Sequence, residues 1–411
     1  MLVSVGSDKK IWLYDGKTGE PTKQVGEGEH TGSIFGVAWA KDSRRFVTAS
    51  ADQTVKIWDA EAGKCVHTWR LGEEGKVSIP DQQVGVCWPR DGLVISVDLE
   101  GNLNYLSEGN PRPAKVIRGH QKAVTAIGYT PDSKTLWTGS SEGRICAWNT
   151  AAGSAEKADG SAHSNYVSGL ATSPLDGRAY SVGWDDTIRT IDVSTKTFVA
   201  TDKTSGQPKG IAVSSSSGNK VVQWVVSAEH IDSYVDGKNQ GSTPLRGQYA
   251  PTCIAAHGNI LAVGAEDKTV RLYTIDGTEL RPLSEIKGAT SAISTLSFSD
   301  SNMLAAGLSN GKIFVYASKG SGSEWELVTN RWSAHTARVT SISWSPDGKK
   351  AVSGALDTSV YVWSLADPGK RVKALNAHKD GVGGVVWAEE GRVISCGADA
   401  AVKVWKVAGV Q

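Results

Sequence analysis

Methionine is almost missing from this chain, with two residues in 411. Phenylalanine and histidine are also scarce, at five and eight. Only five cysteines occur, Cys65, Cys87, Cys146, Cys253 and Cys396. No two stand close enough for a CxxC pair, their number is odd, and each lies in or beside an expected strand. That argues against a disulfide framework or a cysteine-held metal and for small buried thiols in a reducing compartment. The histidines are scattered without ligand spacing, so no metal centre is expected. Neither sign of charge prevails: 44 Lys and Arg face 43 Asp and Glu, for a net charge of +1. Such balance argues against wholesale binding to nucleic acid or an anionic membrane. No apolar run reaches membrane-spanning length and no signal peptide precedes LVSVGSDKK, so the chain reads as cytoplasmic. No GxxxxGK[ST] loop or strand-linked GxGxxG occurs, and no cofactor is expected.

Tryptophan and glycine are plentiful, at 15 and 46. The tryptophans recur with a pattern. An acidic turn is followed, six positions later, by an aromatic residue closing an alternating apolar run. The clearest copies are Asp52 to Trp58 in ADQTVKIWD, Asp357 to Trp363 in LDTSVYVWS and Asp399 to Trp405 in ADAAVKVWK. The period, about 41 to 48 residues, predicts an all-β protein of WD-repeat β-propeller type. Each unit carries strands a to d and buries its faces only against units like itself. No segment has a long helical pattern.

Ten repeats can be placed. A partial one covers residues 2–15. The second runs from His30 to Trp58, the third over Val84–Leu106, the fourth from His120 to Trp148 and the fifth from His163 to Ile191. A divergent sixth covers Gly210–Tyr234. The seventh spans Pro251–Tyr273, the eighth Ala292–Tyr316, the ninth His335–Trp363 and the tenth His378–Trp405. That exceeds the usual four to eight or so blades of one propeller. The expected division is therefore 1–110, about two and a half blades remaining from another ring, and 111–411, one complete seven-bladed ring. SEGNPRPAK reads as the connector. The tenth repeat stops after strand c, so Ala114–Arg118 is expected to close it as an outer strand beside Ala401–Val407. The chain opens inside a strand, as if earlier blades were missing, and the fan over 1–110 is expected to be marginal alone. SSSS at 214–217 and GSGS at 320–323 read as solvated turns.

Three repeats hold a histidine, a hydroxyl, an aspartate and a tryptophan in register: His30, Thr48, Asp52 and Trp58; His335, Ser353, Asp357 and Trp363; His378, Ser395, Asp399 and Trp405. They resemble hydrolytic triads. Their recurrence with the repeat period favours structural tetrads instead, each polar group satisfied by the next. No catalytic residue is expected and the chain is not read as an enzyme. The fourth repeat has Glu142 for the aspartate, and the fifth keeps His163, Ser181 and Asp185 but ends in Ile191.

The residue before the turn acid lies where loops b–c and d–a meet on one rim. It is small in most repeats (Ser7, Ala51, Ser141, Ala398). In the fifth it is Trp184, with Tyr166 on the neighbouring loop. Two aromatics on one rim suit a protein contact, and they equally suit packing on each other. The charged loop His378–Gly381 reads as solvated.

Several segments are less generic: VGSDKKIWLYDGKTGE (5–20), SADQTVKIWDAEAGKCV (50–66), DQQVGVCW (81–88), GSSEGRICAW (139–148), WDDT (184–187), GQPKGIAV (206–213), and NAHKDGVGGVVW with SCGADAAVKVW (376–405). Together they resemble the actin-interacting protein 1 family, in family order along nearly the whole chain. The resemblance implies two seven-bladed propellers. It implies a monomeric, non-enzymatic partner of actin filaments and of cofilin (actin-depolymerising factor), promoting filament disassembly and restricting barbed-end growth at cortical actin structures. About four and a half N-terminal blades have no counterpart here, so impaired activity is expected. The family's main contacts are ascribed to the first propeller, and no binding residues carry over. The alternative is a generic WD scaffold subunit of a larger complex.

Overall fold

The run Thr54–Asp59 shows why this chain makes strands: β-branched and aromatic residues alternate inward and outward, and every residue of the run but Asp59 is buried. The computed structural model describes residues 1–89, 93–131, 134–173, 175–216, 220–245, 247–319, 322–389 and 391–407. Among them the chain forms ten antiparallel sheets and no helix. Eight sheets have four strands, and the first and tenth have three. Each sheet is one repeat, read in chain order as strands a to d.

The chain separates into two compact units, Met1–Gln121 and Lys122–Gln411. The first unit holds three sheets. Its first sheet, Leu2–Val5, Ile11–Tyr14 and Pro21–Val25, packs on the second through Ile11, Leu13, Phe46 and Trp58. The second packs on the third through Val47, Ile57, Trp69, Val94 and Leu106. The short strand Lys115–Ile117 is where expectation fails. It pairs with Leu103–Leu106 as the fourth strand of the third sheet, with Leu103 opposite Ile117 and Tyr105 opposite Lys115. It does not lie beside Val402–Lys406. The residues between are thus a c–d loop and not a connector between rings; Trp69 Nε1 donates to the Asn110 carbonyl at 2.9 Å across it. The short tether explains the outcome, because loop closure costs little entropy when the partner strand has just been laid down.

In the second unit seven sheets follow one another. Their inner strands are Val124–Thr130, Val167–Ser173, Gly210–Ser216, Pro251–His257, Ile293–Phe298, Val339–Trp344 and Val382–Glu389. Each packs against the next, and Val382–Glu389 returns to Val124–Thr130. The core is accordingly divided into clusters, each filling the gap between two neighbouring sheets. Between the eighth and ninth sheets Trp332 stacks on Trp363 at 5.7 Å, with Trp344 at 6.0 Å. Between the tenth and the fourth the buried residues are Tyr129, Leu136 and Ile394.

The inner hairpins share one irregularity. In six of these seven sheets the first two strands slip register by one residue, as between Val124 and Ala126. The bulged residue is left free of the ladder. In four sheets it carries a hydroxyl that donates to the next sheet: Thr125 to the Val167 carbonyl at 2.7 Å, Thr252 to Ile293 at 2.6 Å, Ser294 to Val339 at 2.7 Å and Thr340 to Val382 at 2.7 Å. The tenth sheet has Gly383 there. A Cβ on it would fall 1.9 Å from the Val124 carbonyl oxygen, so only glycine fits the approach.

Ser214–Ser216 end an inner strand and do not form a turn. Ser214 Oγ accepts from the Trp224 indole at 2.8 Å, which draws the serine into the sheet. Ser217, Gly320 and Ser321 lie outside the described residues.

Candidate functional site

Histidines of the second, fifth, ninth and tenth repeats hold the d–a loops down on the sheets. In the ninth repeat His335 Nδ1 lies 2.9 Å from Asp357, His335 Nε2 lies 2.8 Å from Ser353 Oγ, and Trp363 Nε1 donates to the same oxygen at 2.7 Å. His30 and Asp52 (2.7 Å), His30 and Thr48 (2.8 Å), and Trp58 and Thr48 (2.8 Å) repeat the set. So do His378 with Asp399, His378 with Ser395, and Trp405 with Ser395, each at 2.7 Å. The fifth repeat has His163 on Asp185 at 2.8 Å and on Ser181 at 2.9 Å, with Ile191 where the indole would be. The aspartates also accept a backbone N–H from the loop, as Asp357 does from Thr336 at 2.9 Å.

The donors fix one consistent pattern. With a neutral imidazole, the indole donates to the hydroxyl, the hydroxyl donates to Nε2, and Nδ1–H donates to the carboxylate, so that every group is satisfied. Burial favours that form and lowers the pKa of His163, His335 and His378 against the pull of their aspartates. Burial works to raise the Asp185 carboxyl, but hydrogen bonds from His163, the Ser164 N–H and the Thr187 hydroxyl outweigh it and hold it at about 2. Asp52 and Asp399 are lowered by the same contest. Thr48, Ser181, Ser353 and Ser395 are fully buried, so none presents its oxygen to a substrate. Among the described residues no group of His, Cys, Asp and Glu is arranged to hold a metal ion.

Two repeats make the same link with other residues, and sequence reading missed both. In the sixth, buried Asp232 accepts from the Ser205 N–H and hydroxyl, each at 2.8 Å, tying the d–a loop to strand c. In the seventh, Arg271 pairs with Asp267 at 2.6 Å and lies 4.0 Å over the Tyr249 ring, while the Tyr249 and Tyr273 hydroxyls meet at 2.7 Å. The GAEDKTVRLY string contains Asp267 and Arg271 at a spacing of four, which was the available signal.

The accessible surface of interest is the rim carrying the b–c and d–a loops. Tyr166 and Trp184 are stacked there, ring centroids 4.4 Å apart at 27°. Their backbones are joined by Trp184 N–H to the Tyr166 carbonyl at 2.8 Å. Trp184 nonetheless keeps 41% of its surface exposed. The two aromatics therefore pack on each other and still face solvent. The ninth repeat repeats the arrangement with Leu356 N–H on the Arg338 carbonyl at 3.0 Å, and Leu356 is 52% exposed. Leu356 stands directly before Asp357, so the rule that singled out Trp184 also pointed to it. Lys379 and Asp380 in the loop of the tenth repeat are exposed.

Four segments match the WD domain, G-beta repeat family: 22–59, 111–149, 326–364 and 369–406. They end in the third strands of the second, fourth, ninth and tenth sheets. The chain is 32% identical to actin-interacting protein 1 of Drosophila melanogaster, over 100% of its own length and 66% of the relative's. It is 35% identical to WD repeat-containing protein 1 of Xenopus tropicalis, over 99% and 66%. The chain belongs to the actin-interacting protein 1 family. It spans about two thirds of the length of these relatives, 66% in both cases. An uncharacterized WD repeat-containing protein of Schizosaccharomyces pombe is 32% identical, over 92% of the chain and 68% of that protein. Among solved structures, the β-propeller domain of Myceliophteria thermophila Cps50 (Swd1) superposes with a TM-score of 0.60 at 14% identity, covering 70% of this chain and 97% of that one. That likeness concerns the fold alone. In this member of the actin-interacting protein 1 family, then, the polar tetrads are fasteners, and the rims are what a partner can reach.

Proposed function

We propose that this chain is an actin-interacting WD-repeat regulator that acts on filaments decorated with cofilin (actin-depolymerising factor). In this reading it promotes disassembly and restricts growth at barbed ends, as a monomer in the cytoplasm at cortical actin structures. It works without a cofactor and without chemistry of its own. Preferring the cofilin-distorted filament to bare actin would shift the filament population toward severed ends. The observation that carries the reading is the similarity, at 32% identity along the whole chain, to a relative bearing the actin-interacting name. We further propose that the seven-sheet unit is a closed seven-bladed ring and that the preceding residues belong to a second propeller. Tyr166 and Trp184 are the proposed contact on the ring's rim, supported by their exposure and stacking.

Co-sedimentation with actin filaments, with and without cofilin, tests the reading. The expected result is a pellet fraction that rises when cofilin is added. No pelleting, or pelleting indifferent to cofilin, overturns it. Trp184→Ala is expected to weaken pelleting several-fold while leaving the melting temperature unchanged.

A further inference from the structure

In the proposed closed ring, the residues that immediately precede the seven inner strands surround the mouth of the central opening on the rim just described. Most are alanine or glycine. Three are not: Tyr166 before Val167, Lys209 before Gly210 and Arg338 before Val339. No acid stands at any of these positions. Arg338 and Lys209 are exposed and, among the described residues, neither has a carboxylate partner.

Burial raises the pKa of the Tyr166 phenol in the fifth repeat and of the Cys253 thiol in the seventh, and the Arg338 charge opposes both. Its own repeat offers Leu356 beside it, whose Cα would lie 3.4 Å from a Cβ placed on Gly381 of the tenth repeat. The rim thus presents a stacked aromatic pair, an exposed leucine and two cations without a carboxylate partner among the described residues. The exposed acids of this rim, Asp186, Glu229, Glu266, Asp267 and Asp380, stand in the loops outside those positions, and Asp267 is already paired with Arg271.

We propose that this mouth binds a peptide segment of a protein partner that carries carboxylates beside an aliphatic or aromatic anchor. The carboxylates face Arg338 and Lys209, and apolar side chains of the peptide pack on Trp184 or on Leu356. A guanidinium recognises carboxylates in a planar, paired geometry and stacks on aromatic rings, so arginine suits this place better than lysine would. Apolar anchors supply the affinity, and the cations select the sign of the partner and speed encounter. The inference rests on the reading that this rim is a protein contact, and it names the chemistry that the contact selects.

The test is selection from a random-peptide library displayed on phage, using the whole 411-residue chain as bait. The expected winners contain Asp or Glu next to Leu, Ile, Phe or Trp. Their synthetic copies are expected to bind at least tenfold more weakly to Arg338→Glu and several-fold more weakly to Trp184→Ala, while thermal melts of both variants match the parent. An Arg338→Lys variant is expected to recover part of the loss. Winners without acids, no enrichment at all, or acid-rich winners indifferent to Arg338→Glu overturn the proposal. Actin co-sedimentation of the same variants separates the two readings. Peptide binding with no pelleting leaves this inference standing and removes actin as the partner. Pelleting unchanged by Arg338→Glu, with no peptide enriched, does the reverse.

Discussion

Two seams of the seven-sheet unit do the same work with different means. Between the eighth and ninth sheets, Trp332 and Trp363 stack at full burial, and the Ser294 hydroxyl crosses to the Val339 carbonyl. Between the tenth and the fourth, the buried set is Tyr129, Leu136 and Ile394, Trp148 stays partly exposed, and Gly383 stands where the hydroxyl would be. The first seam is held by area and a directed bond, the second by close approach of two backbones. Sheets of one design can therefore be joined by volume at one place and by the absence of volume at another.

The comparison can be broken by mutation. Trp332→Ala should have the largest effect, a loss of about 3–5 kcal/mol in denaturant unfolding, as for large aromatic truncations in packed cores. Ile394→Val at the other seam should cost only about 0.5–1.5 kcal/mol. If the two losses were alike, the seams would not differ in the way described. Gly383→Ala comes next, at about 1–3 kcal/mol, because the added methyl meets a carbonyl that cannot retreat without moving its strand. An Ala at Gly383 that left the melting curve unchanged would show that the approach is slack. Asp357→Ala leaves the His335 Nδ1–H and the Thr336 N–H unpaired and should cost about 1–3 kcal/mol. Thr340→Val deletes one shared hydroxyl donor and should cost about 1 kcal/mol.

Acid should separate the repeats more gently. The buried histidines of the fifth, ninth and tenth repeats have folded pKa values below their ordinary 6.5, so the unfolded chain binds more protons as pH falls. Stability is then full above about pH 6.5 and declines below it. The lowered carboxyls of Asp185 and Asp399 extend the decline in the same direction, Asp185 down to about pH 2. Hydrogen exchange between pH 7 and pH 5 should show faster opening in the ninth repeat than in the eighth, which has no such histidine. Equal change in both would remove the assignment of a neutral, buried imidazole.

Repeat positions were legible because the turn acid and the aromatic six residues on are set by local geometry. The four histidine sets were legible for the same reason, and their bonds join the residues that share a register. The fate of Lys115–Ile117 was not, because three residues carry no face pattern and their partner is chosen by the length of the preceding loop. The sixth repeat was opaque for another reason. It moves the tryptophan from strand c to strand b, so Trp224 meets Ser214, and Asp232 does the work of a histidine. The bulged hydroxyls escaped notice since a serine or threonine second in an apolar strand is unremarkable until the neighbouring carbonyl is in place. Leu356 was in plain view and was passed over because aromatics drew the reading to Trp184.

The return of the last inner strand to the first has a mechanical consequence. In an open array of repeats the end units lose one neighbour and fray. In the proposed closed ring no unit is terminal, so to peel any one sheet from the second unit two interfaces must part together. Motion there should be shared around the whole circuit, and a partner gripping the mouth would stiffen all seven sheets at once.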